Sequence, residues 1–384
     1  MNSILIVAGE NSGDKYGAGL INSFKELYPS YLFFGVGGRH MESKGVELIA
    51  DLKELSIMGV EGVLKGFLRI KKLFKRIESE VKKRKPIASV LIDSPDFNLR
   101  LAKKLKKLSI PVLYYVSPTV WAWRESRLKT IKKYVNKMLL IFPFEKKIYE
   151  SKGIPHKYVG HPVKEFITLR LSKEEFLKKY DLNPEQKTIS LLPGSRRSEI
   201  KHHLPLLAES VEQIKASLPV QFILILAESL EKGTIEIFAP RGLEKVKIVE
   251  EDKYESLAYS DLVLSASGTA NLEAALVSTP LISFYRTSGL NYLAIKLYQA
   301  FFPSTIKNFS IVNILAGEKI VPELFQNEFT PQNISREVKK ILYSPNFRKQ
   351  MRANFRKIDE ILGEKKASQN SARELALLLD SPST

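Results

Sequence analysis

The first residues whose types suggest chemistry are carboxylates that follow an apolar run. Asp93 comes directly after Ala88–Ile92, and Asp96 follows three residues later. A carboxylate at the carboxyl end of a buried parallel strand is well placed to act as a general base. The alternative is structural, with Asp96 or Ser94 capping a helix that begins near Asn98. We assign capping to these later residues and predict that Asp93 carries the chemistry.

A second group of candidate residues is basic and follows another apolar run. Residues 192–199 read LPGSRRSE and begin a helical pattern. Backbone N–H groups at the start of a helix, a hydroxyl and two guanidinium groups suit a phosphate or a diphosphate. The alternative is a basic turn with a capping serine. The residues of interest are Gly194, Ser195 and Arg196.

A third segment, residues 265–273, has the same layout of strand end, small residues and helix start. Ser267, Gly268 and Thr269 would let an anion approach the positive end of the helix dipole. Glu273, one turn later, could accept hydrogen bonds from sugar hydroxyls, or could simply stabilise the first turn of the helix. Two such loops in one half of the chain favour a nucleotide diphosphate.

Several classes of chemistry are excluded by composition and spacing. The chain has no cysteine, which excludes disulfides, thiolate metal sites and a cysteine nucleophile. Residues 9–14 fit neither the Walker A nor the dinucleotide-binding spacing, and no Gly-x-Ser-x-Gly is present. The five histidines form no His-Glu-x-x-His pair. We therefore expect no metal and no cofactor.

The net charge of +18 over 384 residues predicts a polyanionic neighbour. Residues 60–85 carry an apolar stripe, and between Lys65 and Lys85 they contain ten basic and two acidic residues. Such a stripe with basic edges is typical of an interfacial membrane helix, although an amphipathic helix packed on a sheet has the same periodicity. We predict membrane contact by six residues: Val63, Leu64, Phe67, Leu68, Lys71 and Lys72.

The elements that must position these residues alternate between strands and helices, which predicts an α/β fold with two Rossmann-like halves. The predicted strands are Ser3–Ala8, Leu32–Val36, Ile87–Ile92, Val112–Val116, Lys137–Ile141, Thr188–Leu192, Gln221–Leu226, Val246–Val249, Leu262–Ser265 and Pro280–Phe284. The predicted domains are residues 1–165 and 166–340, followed by helices over 341–384 that pack back across both. No signal peptide or membrane span is evident, so we expect a cytoplasmic protein.

Taken in order along nearly the whole chain, short motifs resemble those of the lipid-A-disaccharide synthases, glycosyltransferases of the GT-B fold. The motifs are AGENSGD (8–14), GVGG (35–38), ELSIMG (54–59), IDSPDFN (92–98), YVSPTVWAWR (115–124), PFE (143–145), VGHP (159–162), LPGSR (192–196), SGTA (267–270), EAA (273–275) and NILAG (313–317). Each motif is weak alone, but the ordered set is specific.

The resemblance implies two Rossmann-like domains that face each other across a cleft, and an inverting transfer reaction. The donor would be UDP-2,3-diacylglucosamine and the acceptor 2,3-diacylglucosamine 1-phosphate, giving UDP and a β-1,6-linked tetraacyl disaccharide 1-phosphate. Asp93 would be the base, and Glu273 would bind the ribose. The implied donor-side residues are Gly194, Ser195, Arg196, Ser267, Gly268, Thr269, Glu273 and Asn313. The implied acceptor-side residues are Glu10, Ser12, Gly13, Asp14 and Asp96.

The resemblance also implies a homodimer. From the basic amphipathic segment we expect the protein to bind peripherally to the anionic surface of the inner membrane, and we expect no nucleic acid as partner. Another GT-B enzyme that uses a UDP-sugar, such as an epimerase or a peptidoglycan glycosyltransferase, would share the diphosphate loops. It would not need the basic amphipathic segment. A basic RNA-binding protein is compatible with the charge, but the sequence has no RNA-recognition signature.

Overall fold

The computed structural model describes residues 2–56, 63–122, 124–238, 243, 246–289, 292 and 308–380, without the side chains at 56, 63–67, 232 and 236. Residues 57–59 of the ELSIMG motif and Trp123 therefore lie outside the described part. The chain divides into two compact units, one formed by Met1–Glu165 with Leu362–Thr384 and the other by Phe166–Ile361. The boundary between them falls at residues 165 and 166.

The first unit contains a seven-stranded parallel sheet in the order β3-β2-β1-β4-β5-β6-β7. Its strands are β1 (Ser3–Ala8), β2 (Leu32–Gly37), β3 (Val46–Asp51), β4 (Ala88–Ile92), β5 (Val112–Tyr115), β6 (Lys137–Leu140) and β7 (His156–Tyr158). Its helices are α1 (Asn11–Leu27), α2 (Arg39–Glu42), α3 (Lys53–Ser56), α4 (Val63–Arg84), α5 (Pro95–Lys107), α6 (Arg127–Tyr134), α7 (Lys146–Ser151) and α8 (Val163–Phe166), which crosses the unit boundary.

The second unit contains a six-stranded parallel sheet in the order β10-β9-β8-β11-β12-β13. Its strands are β8 (Lys187–Leu192), β9 (Val220–Ile225), β10 (Lys247–Val249), β11 (Leu262–Ala266), β12 (Leu281–Tyr285) and β13 (Glu323–Phe325). Its helices are α9 (Lys173–Lys179), α10 (Arg197–Lys215), α11 (Lys232–Phe238), α12 (Lys253–Ala258), α13 (Thr269–Leu276), α14 (Ile311–Ala316), α15 (Pro331–Tyr343) and α16 (Pro345–Leu362).

Helices cover both faces of each parallel sheet. Because the central strands are buried on both sides, they are almost wholly apolar. In β1 every residue from Ile4 to Ala8 has no solvent exposure. All ten predicted strands are confirmed, with ends that shift by one residue at most. The two Rossmann-like halves are likewise as predicted.

Three strands were not predicted, namely β3, β7 and β13. All three are edge strands. An edge strand has one neighbour instead of two, so it can be short or carry exposed polar residues, and its sequence then lacks a continuous apolar run.

The C-terminal helices divide between the units. Up to Ile361, α16 belongs to the second unit, whereas α17 (Ala367–Asp380) belongs to the first and packs on α1. The Glu165 carboxylate accepts a hydrogen bond from the Ser368 N–H, 2.8 Å, and a Cβ at Gly19 would lie 2.3 Å from Ser368 Oγ. The predicted segment 341–384 is therefore two separately packed parts.

Candidate active site

The carboxyl ends of β1 and β4 bring two predicted loops together. These strands are parallel neighbours in which Ala8 pairs with Ile92. A Cβ atom at Gly9 would lie 1.8 Å from Ser94 Oγ, so glycine is needed where the two loops meet. The loop that follows β1 therefore lies beside the residues that follow β4.

Asp93 lies at the turn between β4 and α5 in the left-handed backbone region, with φ of 50°. Its carbonyl accepts hydrogen bonds from the Tyr114 hydroxyl, 2.6 Å, and from Asn98 Nδ2, 2.9 Å. Its side chain is partly exposed. Such a backbone costs on the order of 1–3 kcal/mol and is frequent at active sites. The surroundings thus fix the backbone of Asp93 and leave its carboxylate accessible.

The helix after Asp93 begins earlier than expected. It starts at Pro95, not near Asn98, and Ser94 is its N-cap residue but makes no side-chain capping bond. Asn98 is fully buried and also donates to the Ile92 carbonyl, 3.0 Å, so it anchors the end of the strand. This positioning role was not predicted, although an amide on the apolar face of an amphipathic helix was a signal for it in the sequence.

Asp96 and Asp14 differ in burial and in their partners. Asp96 is exposed and forms ion pairs with Arg124, 2.9 Å, and Arg127, 2.6 Å. Asp14 is 1% exposed, and its carboxylate accepts hydrogen bonds from the backbone N–H groups of three residues at the start of α2: Gly38, His40 and Met41. Asp14 therefore holds the loop that follows β2, and any effect on an acceptor would be indirect.

The other acceptor-side residues lie in the first turn of α1 or just before it. Glu10 is exposed at the N-cap position, Ser12 is half-buried and Gly13 is buried. A Cβ at Gly13 would lie 3.3 Å from Ile92 Cγ2, so this turn packs closely against the end of β4. Glu10 and Ser12 are thus the members of this group that solvent reaches.

Glu145, from the PFE motif, is a buried carboxyl in the first unit. It is 1% exposed and accepts a hydrogen bond from the Phe142 N–H, 3.2 Å. Burial raises the pKa of Glu145 to about 8, although the Ser117 side chain and the Phe142 backbone oppose the shift. Near neutral pH this group is therefore largely protonated, and it can support the loop at Ser117.

The loop that follows β8 differs from the prediction in one respect. Gly194 has φ of 130°, and a Cβ there would lie 2.5 Å from Glu199 Oε2. That carboxylate accepts hydrogen bonds from the N–H groups of Ser195, 2.8 Å, and Arg196, 3.3 Å. The amides predicted to bind phosphate are therefore occupied by Glu199. The Arg196 guanidinium forms an ion pair with Glu199 Oε1, 3.3 Å, and its side chain remains 58% exposed, so it is the part of this loop that a ligand can reach.

The loop that follows β11 is open. Ser267 is held by its N–H, which donates to the Phe284 carbonyl at 2.8 Å. Gly268 and Thr269 are exposed at the start of α13, and a Cβ at Gly268 would meet nothing within 4 Å. The first turn of α13 contains no acidic residue. The positive end of this helix is therefore accessible to solvent.

The predicted donor residues Glu273 and Asn313 also have protein partners. The Glu273 carboxylate forms an ion pair with Lys253 and accepts a hydrogen bond from the Tyr254 hydroxyl, 3.2 Å. Asn313 is fully buried and bonds the backbone of Ile320 and Val321 through both ends of its amide. Glu273 would have to share its oxygens with a ribose, and Asn313 can affect a donor only by shaping the loop.

The apolar stripe along α4 has a buried part and an exposed part. Leu73, Phe74, Ile77 and Val81 are buried in the core of the first unit, which is the packing alternative considered for the stripe. Leu68 is 52% exposed, and Lys71 and Lys72 are exposed beside it. The side chains of the three other predicted contact residues lie outside the described residues: Val63, Leu64 and Phe67.

Three further observations bear on ligands. Within the described ranges, no group of three or more His, Asp or Glu residues could hold a metal ion. Each helix that the structure describes is too short or too polar to span a bilayer. A cavity of about 420 Å³ is lined by Pro345, Arg348, Lys349, Arg352 and Arg356, all from α16. It contains none of the predicted site residues.

The comparisons with known proteins agree with this geometry. The family model described as lipid-A-disaccharide synthetase matches residues 4–378. The lipid-A-disaccharide synthase of Myxococcus xanthus is 39% identical over 98% of this chain and 97% of its own length. That of Geobacter sulfurreducens is 37% identical over 96% and 95%.

Solved structures agree in fold. The calicheamicin glycosyltransferase CalG4 has a TM-score of 0.62 at 13% identity and covers all of both chains. The UDP-GlcNAc 2-epimerase of Neisseria meningitidis has a TM-score of 0.65 at 14% identity, covering 98% of this chain and all of its own. Such low identities support the fold alone, so the family model and the relatives decide between the alternatives. The chain belongs to the lipid-A-disaccharide synthase family, whose members are glycosyltransferases of the GT-B fold.

Proposed function

We propose that this chain transfers a diacylglucosaminyl group from UDP-2,3-diacylglucosamine to the primary hydroxyl of 2,3-diacylglucosamine 1-phosphate. The products are UDP and a β-1,6-linked tetraacyl disaccharide 1-phosphate. The observation that carries the proposal is Asp93, whose backbone is fixed by Tyr114 and Asn98 at the end of a buried strand while its carboxylate stays accessible. Family membership supplies the substrate class.

The proposed reaction is one displacement at the anomeric carbon of the donor. The Asp93 carboxylate takes the proton of the acceptor hydroxyl, and the hydroxyl oxygen forms a bond to the anomeric carbon. The bond between that carbon and the diphosphate oxygen breaks, and its electron pair leaves with UDP. Because attack and departure occur on opposite faces, the α-linked donor gives a β-linked product.

Arg196 and the start of α13 would stabilise the departing diphosphate. Arg196 is the exposed guanidinium of its loop, and Ser267, Gly268 and Thr269 lie at the open helix end. A guanidinium and a helix N-terminus both favour negative charge that grows in the transition state. Glu273 would bind the ribose while it keeps its contact with Lys253.

Glu10, Ser12 and Asp96 would contact the acceptor, and Gly13 would keep the turn of α1 close to β4. This assignment is supported by their positions: Glu10 and Ser12 are accessible to solvent beside Ser94, and Asp96 lies in the first turn of α5. The pairing of Asp96 with two arginines would place positive charge near the phosphate of the acceptor.

The exposed part of α4 would contact the anionic surface of the inner membrane. Leu68 offers an apolar side chain to the lipid, and Lys71 and Lys72 offer charges to the headgroups. This contact would deliver the acylated substrates to the first unit. We also propose a homodimer, which light scattering would test by giving twice the mass of the chain.

The experiment is turnover by Asp93→Asn, with UDP affinity and melting temperature measured on the same preparation. Asparagine tolerates the left-handed backbone and keeps the size of the side chain, but it cannot take the proton. We expect turnover to fall by about 10²–10⁴-fold with an unchanged melting temperature. Asp51→Asn, at an exposed strand end of the same sheet, is the matched control. Retention of more than about a tenth of the turnover would contradict the role of Asp93.

A further inference from the structure

His203 lies on α10 in the interior of the second unit, with no solvent exposure. Its Nδ1 lies 2.6 Å from the Pro193 carbonyl oxygen. Its Nε2 lies 3.0 Å from the Arg286 nitrogen and 3.0 Å from the Arg286 oxygen. One side chain thus joins the backbone before Gly194 to the backbone that follows β12.

The proton positions follow from the partners. A carbonyl oxygen only accepts hydrogen bonds, so Nδ1 must carry a proton and donate it to Pro193. In the neutral ring Nε2 is then an acceptor, and it receives the Arg286 N–H. Burial lowers the pKa of His203, against the opposing effect of its hydrogen bonds to Pro193 and Arg286. The neutral tautomer with the proton on Nδ1 therefore satisfies the Pro193 carbonyl and the Arg286 N–H.

Aromatic rings hold the imidazole in this orientation. Phe284, Tyr285 and Phe329 pack around it with ring centroids 5.2, 5.5 and 5.8 Å away. All three meet the imidazole at steep interplanar angles, so the ring has little freedom to rotate.

The two segments that His203 joins lie on either side of the open helix end. In the second sheet, β8 and β12 are the two neighbours of β11. Pro193 follows β8, Arg286 follows β12, and the loop that leads into α13 follows β11. The segment after β12 is also held by Gln326, whose Oε1 accepts the Thr287 N–H at 2.7 Å.

We infer that His203 is a positioning residue of the donor site. It holds two segments in place on either side of the start of α13: the loop of residues 193–196, which follows β8, and Arg286, which follows β12. This inference rests on the proposed function, because it takes the diphosphate to bind at Arg196 and α13. No substrate atom contacts His203 in this role, since its ring is buried behind the loops. The prediction is that loss of its hydrogen bonds weakens the binding of UDP and leaves the acceptor unaffected.

The test measures UDP affinity by calorimetry, together with KM for each substrate and the melting temperature. His203→Phe fills the aromatic surroundings and removes both hydrogen bonds, whereas His203→Asn places an amide donor near the position of Nδ1. We expect the Phe variant to bind UDP about tenfold more weakly with an acceptor KM within twofold, and the Asn variant to recover most of that loss. His202→Leu, the adjacent half-buried histidine, is the matched control and should bind UDP like the parent.

Failure of the inference and failure of the proposed function give different results. A parent protein that does not bind UDP would contradict the proposed donor site itself. If the parent binds UDP and the Phe variant has a UDP affinity within twofold of the parent, the role of His203 alone is overturned, whatever the melting temperature of the variant. If the Phe variant does not fold, ¹⁵N-histidine NMR of the parent decides. Saturation with UDP should shift the His203 ring nitrogens, and an unchanged resonance would overturn the inference.

Discussion

The carboxyl ends of the two sheets resemble each other in backbone layout and differ in the polar groups that they leave accessible. The first sheet presents the half-buried acid Asp93, whose carbonyl is held by Tyr114 and Asn98. The second sheet presents positive charge, through the Arg196 side chain and the open start of α13. This difference underlies our proposal of a proton acceptor in one unit and an anion site in the other.

The two loops that follow β8 and β11 in the second sheet have the same layout in sequence but differ in structure. Just before α10 the N–H groups of Ser195 and Arg196 donate to the chain's own Glu199, whereas the first turn of α13 contains no acidic residue. Asp14 occupies the start of α2 in the same way in the first unit. Where a buried carboxylate lies at the start of a helix, it already binds the backbone N–H groups there. Where it is absent, as at α13, we propose that a ligand binds.

The largest expected effect concerns Glu145 and is a change in the free energy of unfolding. We expect no change in the binding of the donor. The folded-state pKa of about 8 lies above the ordinary 4.5, so the folded state loses stability as pH rises from about 4.5 to 8. Glu145→Gln should remove this slope and raise the free energy of unfolding at pH 8 by a few kcal/mol relative to the parent. Denaturant titrations at pH 5 and pH 8 measure it. Parallel pH dependences for the two proteins would show that Glu145 titrates normally.

Arg196→Ala should weaken UDP binding by about 10- to 150-fold with little change in melting temperature, because a charge-assisted hydrogen bond contributes roughly 1.5–3 kcal/mol. Arg197→Ala is the matched control, since the Arg197 guanidinium lies 5.7 Å over the Phe238 ring. Calorimetry with UDP compares the two. Equal affinities for both variants would remove Arg196 from the donor site.

Thr269→Asp should weaken UDP binding about tenfold, because it places a negative charge at the open end of α13. An aspartate in the first turn of a helix favours the helix itself, so the melting temperature should not fall. Thr269→Asn has the same shape without the charge and should bind UDP within about twofold of the parent. If the Asp and Asn variants bind UDP equally well, the diphosphate does not lie at this helix end.

The smallest expected effect is on membrane binding. Leu68→Ser should reduce partition to vesicles that contain phosphatidylglycerol by about fivefold, because the half-exposed leucine loses on the order of 1 kcal/mol of burial. Leu169, 45% exposed in the second unit, provides the control Leu169→Ser. High salt should weaken binding of both by screening Lys71 and Lys72. Equal partition of the two variants would exclude Leu68 from the lipid contact.

Much of the fold could be predicted because parallel strands buried on both faces have continuous apolar runs. Asp93 could be found in the same way, as the first polar residue after such a run. The edge strands β3, β7 and β13 could not, since a strand with one neighbour needs no such run. The start of α5 at Pro95 was placed too late because the left-handed conformation of Ser94 has no signal in residue type alone.

The partners of polar groups could be predicted least. Glu199 and Asp14 look like accessible acids in sequence, yet they are buried and bond backbone N–H groups. No role was predicted for His203, because its spacing to other histidines and acids does not suit a metal site. Its hydrogen-bond partners, Pro193 and Arg286, are 10 and 83 residues away along the chain. Such pairings depend on how loops from different strands meet, which no local pattern specifies.

The most direct test of the account is the identity of the product. The purified chain is incubated with UDP-2,3-diacylglucosamine and 2,3-diacylglucosamine 1-phosphate, and the lipids are analysed by mass spectrometry and by NMR of the new anomeric centre. The account predicts a tetraacyl disaccharide 1-phosphate with a β linkage, and no product from an acceptor whose primary hydroxyl is methylated. An α linkage, a product from the blocked acceptor, or release of UDP without a disaccharide would contradict it.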